Sequence, residues 1–324
     1  MLKVFEAFAG YGSQSLALER LGIPHQVVAI SEIDKYAIQA YYSLHSKDIP
    51  NLGDICKINV EDIPDHDLFT YSFPCQDISV AGQTRGIIAR ETRSGLLYEC
   101  EKIIEGKRPK YLLMENVKNL VGKKFKADFD KWLDYLEGLG YTNYWKVLNA
   151  KHYGVPQNRE RVFVISILGE HEPYKFPDPV ELTTRVKDFL DDNVPEKYYL
   201  KQEMQEKFPP SLKGKLGAEP QLEMVGMLDI KGNECIRRVY SEEGLCPSLT
   251  TMQGGNRQPK VMCRKMECDT IRKLTPKECF RLMGLADTDI EKIQATGISN
   301  AQQYKMAGNS IVVDVLEAIF KNLF

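Results

Sequence analysis

Short apolar runs alternate through the first half of the chain with longer stretches whose apolar residues recur every three or four positions. That alternation predicts parallel strands joined by helices, an α/β fold. Strands are expected over 3–8, 27–30, 68–72, 111–114 and 161–167, and helices over 14–21 and 34–44. A further helix carries Phe125, Phe129, Leu133 and Leu136 on one face. After Gly169 the texture changes. Pro and Gly interrupt charged stretches, and short strand-like pieces such as RRVY and KVMC stand between glycine turns. Helical periodicity resumes from Ile271, and Ile311, Val315, Leu316 and Ile319 share a face near the end. The expected organisation is a domain over 1–175, a small irregular lobe over 176–270, and a segment over 271–324 that returns to the first domain. The lobe is then an insertion.

The chain's 324 residues suffice for such a pair of bodies. No apolar run reaches the length of about 18 residues needed to span a bilayer. The opening MLKVFEAFAG lacks the basic and long apolar parts of a secretory signal, so a cytoplasmic protein without a membrane partner is expected. The eight cysteines form no disulfide framework. A zinc site from Cys246, Cys263, Cys268 and Cys279 has poor spacing, so these read as small core residues and no metal is expected. A net charge of -2 excludes coating of nucleic acid by general basicity. Residues 231–281, however, hold 11 Lys or Arg against 6 Asp or Glu, a local +5. Such a stretch suits phosphates, although a solvated basic surface has the same composition.

Candidate chemistry sits where strands end. FAGYG follows the first strand, and Gly10 and Gly12 let backbone approach a ligand. Glu32 follows the second strand, where an acidic group can accept from ribose hydroxyls. The turn lacks the third spaced glycine of a dinucleotide fingerprint, which favours an adenosyl ligand carrying an amino acid over one with a pyrophosphate. Asp54, in GDI, is a candidate for the adenine amine; as a bland alternative it caps a turn. FPCQ begins as a buried strand ends, with Pro74 restricting the backbone beside Cys75. A lone cysteine there is more often a packed thiol than a nucleophile. MENV, ending another strand, adds Glu115 near the same place. A buried carboxyl is costly unless its proton or its partner has a use. In QNRER, Arg159 and Arg161 lie on one face if the piece is a strand. Either Arg161 bonds an acceptor on a ligand and Arg159 a phosphate or the Glu115 side chain, or both are exposed salt-bridge residues. Residues 77–92 are long, polar and glycine-containing, fit either to close over a bound ligand, with Gln83 and Arg85 as nucleic-acid contacts, or to stand as a solvated loop.

FAGYG, SEID, GDI, FPCQ, MENV, QNRER and a late GNS occur in this order, and the set resembles the DNA cytosine-5 methyltransferases of bacterial or phage type. The resemblance spans both ends of the chain and matches the middle lobe loosely. Ser13 departs from the family's usual glycine or alanine, and is small enough for the same turn.

The resemblance implies a Rossmann-like, adenosylmethionine-dependent fold with an inserted target-recognition domain. It also implies methylation of C5 of a cytosine swung out of duplex DNA. Cys75 would be the nucleophile and Glu115 the partner of N3, a glutamic acid able to donate near neutral pH. Phe8, Gly10, Gly12, Glu32, Ile33, Asp54, Ile55, Pro74 and Asn309 would line or support the S-adenosyl-L-methionine pocket. Gln76, Arg237, Arg238, Thr250, Gln253, Gly254, Gly255, Asn256 and Arg257 would meet DNA, some reading bases through the major groove. The implied partner is double-stranded DNA with a short specific site. A monomer, working alone or beside a restriction endonuclease, is expected.

Three rivals remain open from sequence. The same catalytic pair would serve an RNA cytosine. A non-catalytic DNA-binding relative would keep the fold without turnover. A nucleotide oxidoreductase would share the first 54 residues, though PCQ and ENV argue against it.

Overall fold

Strand β1 (Leu2–Ala7) is buried along its last four residues, Val4 to Ala7, as a strand covered on both faces must be. Around it the computed structural model builds a six-stranded sheet, and it describes residues 1–74, 96–206, 208, 220–252, 256–263 and 269–324. Helix α1 (Ser13–Arg20) leads to β2 (His25–Ser31), and α2 (Lys35–Leu44) starts at an Asp34 cap. Then follow β3 (Leu68–Tyr71), α3 (Leu97–Lys107), β4 (Tyr111–Val117) and α4 (Lys126–Gly138). β5 (Tyr141–Asn149), the short β6 (Gln157–Asn158) and β7 (Glu160–Leu168) complete the first half. The sheet order is β2-β1-β3-β4-β7-β5, with β2, β1, β3 and β4 parallel and β7 antiparallel to β4. β1 is joined to β2 on one side and lies beside β3 on the other. That reversal opens a crevice at the carboxyl ends of the strands, where open α/β sheets take ligands.

Sequence periodicity and structure agree on these strands to within a few residues. Besides the two-residue β6, two elements of the first half escaped it. α3 buries Leu97, Cys100, Ile103 and Ile104, a helical face among charges. β5 is an edge strand that buries only Tyr141 and Leu148, so apolar alternation has little to report.

The chain divides into two compact units, and the division falls away from residues 175 and 270. The first unit is 1–148, 160–178 and 315–324; the second is 149–159 and 179–314. The last helix, α10 (Val313–Leu323), therefore straddles a boundary. Its later part belongs to the first unit, where Glu317 pairs with Arg20 at 3.1 Å and Tyr174 Oη donates to the Ile319 carbonyl.

The second unit holds α5 (Gln202–Glu206), β8 (Met224–Met227), α6 (Glu234–Arg237), β9 (Arg238–Ser241) and β10 (Cys246–Pro247). It continues through β11 (Lys260–Cys263), β12 (Thr270–Lys273), α7 (Pro276–Arg281), α8 (Asp287–Ala295) and α9 (Asn300–Asn309). Its sheet runs β12-β11-β9-β8 over Leu200, Phe208, Val225, Leu228, Val239 and Ile271. Residues 271–314 stay with this unit because polar ties hold them. Glu278 is fully buried, pairs with Arg272 at 2.6 Å, and accepts from the Asp191 and Thr275 amides. Arg281 adds ion pairs to Asp191 and Asp287. Among the described residues no helix is long and apolar enough to cross a membrane.

Candidate active site

The turn after β1 needs backbone that most residues avoid. Phe8, Gly10 and Gly12 all have positive φ, at 56°, 60° and 83°. A Cβ on Gly12 would also lie 2.3 Å from His45 Nε2, so both conformation and space demand glycine there. Glu32, just past β2, ties the turn down. Its Oε2 accepts from the Gly10 amide at 2.9 Å, while Oε1 accepts from the Ile33 and Asp34 amides, both at 2.8 Å. Asn51 supports Glu32 from the other side, bonding its amide and its carbonyl. Nothing in the motif spacing singled out Asn51. Asp54 caps a single turn, 55–57, through the Cys56 amide, as its bland reading held. Ile33 projects into solvent and Ile55 is buried.

These groups fit an adenosyl ligand. Glu32 accepts one amide of the glycine turn and two of the chain just after itself, which leaves a half-exposed acid at the strand end beside an exposed isoleucine. The acid suits ribose hydroxyls, and the isoleucine an aromatic face.

Register sets the next group. β1, β3 and β4 pair with Ala7 opposite Tyr71 and Tyr71 opposite Met114. Glu115 therefore lies one residue past that level, and Pro74 three residues past it. Asn116 Nδ2 donates to the Phe73 carbonyl at 3.2 Å in a buried position, anchoring the chain that leads into Cys75 to the strand that carries Glu115. Sequence reasoning quoted ENV without a role for this asparagine. Across the antiparallel β4–β7 ladder, Val117 faces Arg161 and Glu115 faces Phe163. Arg161 thus reaches Glu115 diagonally on one face, with Nε to Oε1 at 3.1 Å and both side chains largely buried.

Arg159 goes elsewhere, which corrects the expectation that it shares a face with Arg161 and from there reaches a phosphate or Glu115. β7 begins only at Glu160, and Arg159 lies between β6 and β7, bonded through its backbone to Asn149 and Ala150. Its buried guanidinium donates to the carbonyls of Leu249, Gly308 and Ser310 at 2.9, 3.0 and 2.8 Å. Those bonds make it a structural clamp of the second unit. Gly308 explains the GNS motif in the same terms. A Cβ there would sit 2.0 Å from the Thr250 carbonyl oxygen, so α9 and residue 250 meet only because the side chain is absent. Replacing Arg159 with Met is expected to destabilise the protein by roughly 3 kcal/mol, since three buried carbonyls lose charged donors. Urea unfolding checks this, and a change below about 1 kcal/mol would refute the clamp.

The remaining sites divide. Cys75, Gln76, Gln83, Arg85, Gln253, Gly254 and Gly255 lie outside the described residues. Asn309 ends α9 with an exposed side chain. Arg237 donates to the Leu228 carbonyl and Arg238 pairs with Glu234, so both already have work within the unit. Thr250 and Arg257 are exposed, as is Asn256, which has φ 60°. Two lysines that sequence reasoning passed over converge on Asn256. Lys273 bonds its side-chain oxygen, and buried Lys260 donates to the carbonyls of Ile236, Asn256 and Gln258. Burial, reinforced by Lys273, pushes the Lys260 ammonium down to about 8.

A glycine turn with an acid after the second strand, and a carboxyl held by arginine at the fourth, define an α/β Rossmann-like methyltransferase fold. Solved structures share it. The crystal structure of the S. pombe Dnmt2 methyltransferase superposes with a TM-score of 0.73 at 18% identity, covering 99% of this chain and 97% of that one. The Entamoeba histolytica methyltransferase EhMeth gives 0.76 at 19%, covering 100% and 98%. The family model for C-5 cytosine-specific DNA methylase matches residues 2–324, and the chain belongs to that family. The type II methyltransferase M2.ScrFI of Lactococcus lactis subsp. cremoris is 42% identical over 100% of this chain and 99% of its own length. The orphan methyltransferase M.SPBetaI of Bacillus phage SPbeta is 33% identical, with 99% and 97% covered. The protein is a site-specific DNA cytosine-5 methyltransferase that uses S-adenosyl-L-methionine.

Proposed function

We propose that Cys75 attacks C6 of an extruded cytosine and that Glu115, aligned by Arg161, partners N3 of the same ring. The Glu115–Arg161 pair carries this reading, together with the Asn116 bond that ties the approach to Cys75 to the Glu115 strand. Cytosine C5 is a poor nucleophile while the ring is conjugated. Addition of the thiolate at C6 breaks the conjugation and leaves C5 enamine-like. Glu115, with its proton at N3, neutralises the negative charge pushed onto the ring. A free N–H of Arg161 suits O2. Bound at the glycine turn, S-adenosyl-L-methionine supplies an electrophilic sulfonium methyl group. Once C5 carries the methyl group, loss of its proton expels the thiolate and leaves 5-methylcytosine. Phe8, Gly10, Gly12, Glu32, Ile33, Asp54, Ile55, Pro74 and Asn309 are the residues we assign to the cofactor.

We further assign target recognition to residues 176–270. The exposed Thr250, Asn256 and Arg257 support this, along with the basic excess of the stretch. The chain works as a monomer in the cytoplasm, since one set of catalytic groups methylates each strand of a site in turn. Bisulfite sequencing of randomised duplex DNA after incubation with protein and cofactor tests the whole reading. Protected cytosines should share one short sequence. Protection without sequence context, or none at all, would overturn the assignment of the lobe or of the reaction respectively.

A further inference from the structure

His45 follows α2, and its ring is almost wholly buried beneath the glycine turn. Its two nitrogens face acceptors on different elements. Nε2 lies 3.2 Å from the Tyr11 carbonyl oxygen in the turn, and Nδ1 lies 3.2 Å from Glu19 Oε1 on α1. A carbonyl and a carboxylate can only accept, so the ring serves both only as an imidazolium with a proton on each nitrogen. A neutral ring keeps one bond and loses the other.

The surroundings supply compensating charge. Glu6 on β1 is fully buried, and accepts from the Ser15 amide and hydroxyl and from Tyr41 Oη. Tyr41 on α2 packs its ring against His45 at 4.5 Å between centroids. Glu19 stands half-exposed on α1, and His25 and Asp48 line the same surface hollow beside the ring. Gly12 rests on His45 and Tyr41 with no room for a Cβ. The turn thus has two anchors, Glu32 on the Gly10 amide and His45 on the Tyr11 carbonyl.

We propose that His45 is a positioning residue whose protonated ring holds the glycine turn in its cofactor-binding form, so that cofactor affinity falls when the ring loses its proton. The Glu19 and Glu6 carboxylates outweigh burial and raise the ring above the ordinary histidine value of 6.5. The sign follows. The anchoring is complete below the unfolded value and is lost as pH rises through the higher folded one. Cofactor binding is therefore strongest below the ordinary histidine value and weakens as pH rises through the ring's higher folded one. The inference rests on assigning the Gly10–Gly12 turn to the cofactor.

Calorimetric titration of the full chain with S-adenosyl-L-methionine tests it, with His45→Gln and Glu19→Gln beside the native protein. Glutamine can donate to Tyr11 but cannot carry the charge. Native affinity should fall roughly tenfold as pH is raised from below the ordinary histidine value through the ring's own midpoint, the cost of one charge-assisted bond. His45→Gln should bind at the weak level throughout, which also subtracts any titration of the cofactor's own amine. Glu19→Gln should move the fall to lower pH. The ring-proton chemical shifts of His45 should titrate with the same midpoint, a readout that remains if His45→Gln fails to fold. A constant ratio of native to His45→Gln affinity, or a ring that titrates at or below the ordinary histidine value, overturns the proposal. Pocket residues are tested separately by Glu32→Ala. If affinity survives that change, the assignment of the turn itself falls, and the His45 proposal with it.

Discussion

Cys75→Ala is expected to lower methyl transfer by roughly 10⁵-fold, the order lost when a covalent nucleophile is removed from an enzyme built around it. The reason lies in the substrate. Without addition at C6 the pyrimidine stays conjugated, and no amount of positioning makes its C5 a useful nucleophile. Loss of a single sulfur atom leaves the glycine turn, Glu32 and the Glu115–Arg161 pair untouched. Affinity for cofactor and for DNA should therefore persist while turnover vanishes, and a tritium-transfer assay beside two binding assays separates the cases. Substitution of 5-fluorocytosine at the target supplies the positive counterpart. Fluorine cannot depart as the proton does, so elimination stalls and the protein should stay bonded to DNA through residue 75. Normal turnover by the alanine variant, or no adduct with the fluorinated site, would remove the thiolate from the mechanism.

Glu115→Gln should reduce the chemical step by about 10²–10⁴-fold, the range for loss of a positioned acid. Glutamine keeps the shape and still offers Arg161 an oxygen at the place where Nε now meets Oε1 at 3.1 Å. The fold and the strand register should thus survive. What disappears is a group that exchanges a proton with N3 and balances charge on the ring as the thiolate adds. Cofactor affinity should not move, because Glu32 and the glycine turn belong to other strands. Single-turnover rates with saturating cofactor and DNA measure the chemical step directly. An unchanged rate would reassign Glu115 to structure. A parallel loss of cofactor affinity would mean that the variant disturbs the strand ends rather than the proton.

Much of this site was legible before any coordinates. FAGYG, SEID, FPCQ and MENV each stand at the end of a segment whose apolar run marks it as a strand, and QNRER stands at the start of one that runs antiparallel. In a parallel sheet such ends lie on one side. Glu32 and Glu115 are therefore found where spacing put them, and Arg161 meets Glu115 because period-two alternation across an antiparallel pair brings that diagonal together. Asn51, Asn116 and His45 were not visible. Each acts through a hydrogen bond to backbone far along the chain, and no local pattern reports such a partner.

By itself the sequence determined the α/β class, the strand segments, the order of the reactive groups and the family. All of these follow from local periodicity and contiguous motifs. Tertiary structure decided which neighbours those groups acquired. Arg159 and Arg161 look equivalent two residues apart, yet one belongs to the second unit and clamps three carbonyls while the other lies in β7 and pairs with Glu115. Residues 271–314 have helical faces that would suit either core, and their place in the second unit rests on the bonds of Glu278 and Arg281 to Asp191. An apolar face specifies that a segment is buried but not against what. Directional bonds between buried charges and distant backbone make that choice, and they exist only once the chain has closed on itself.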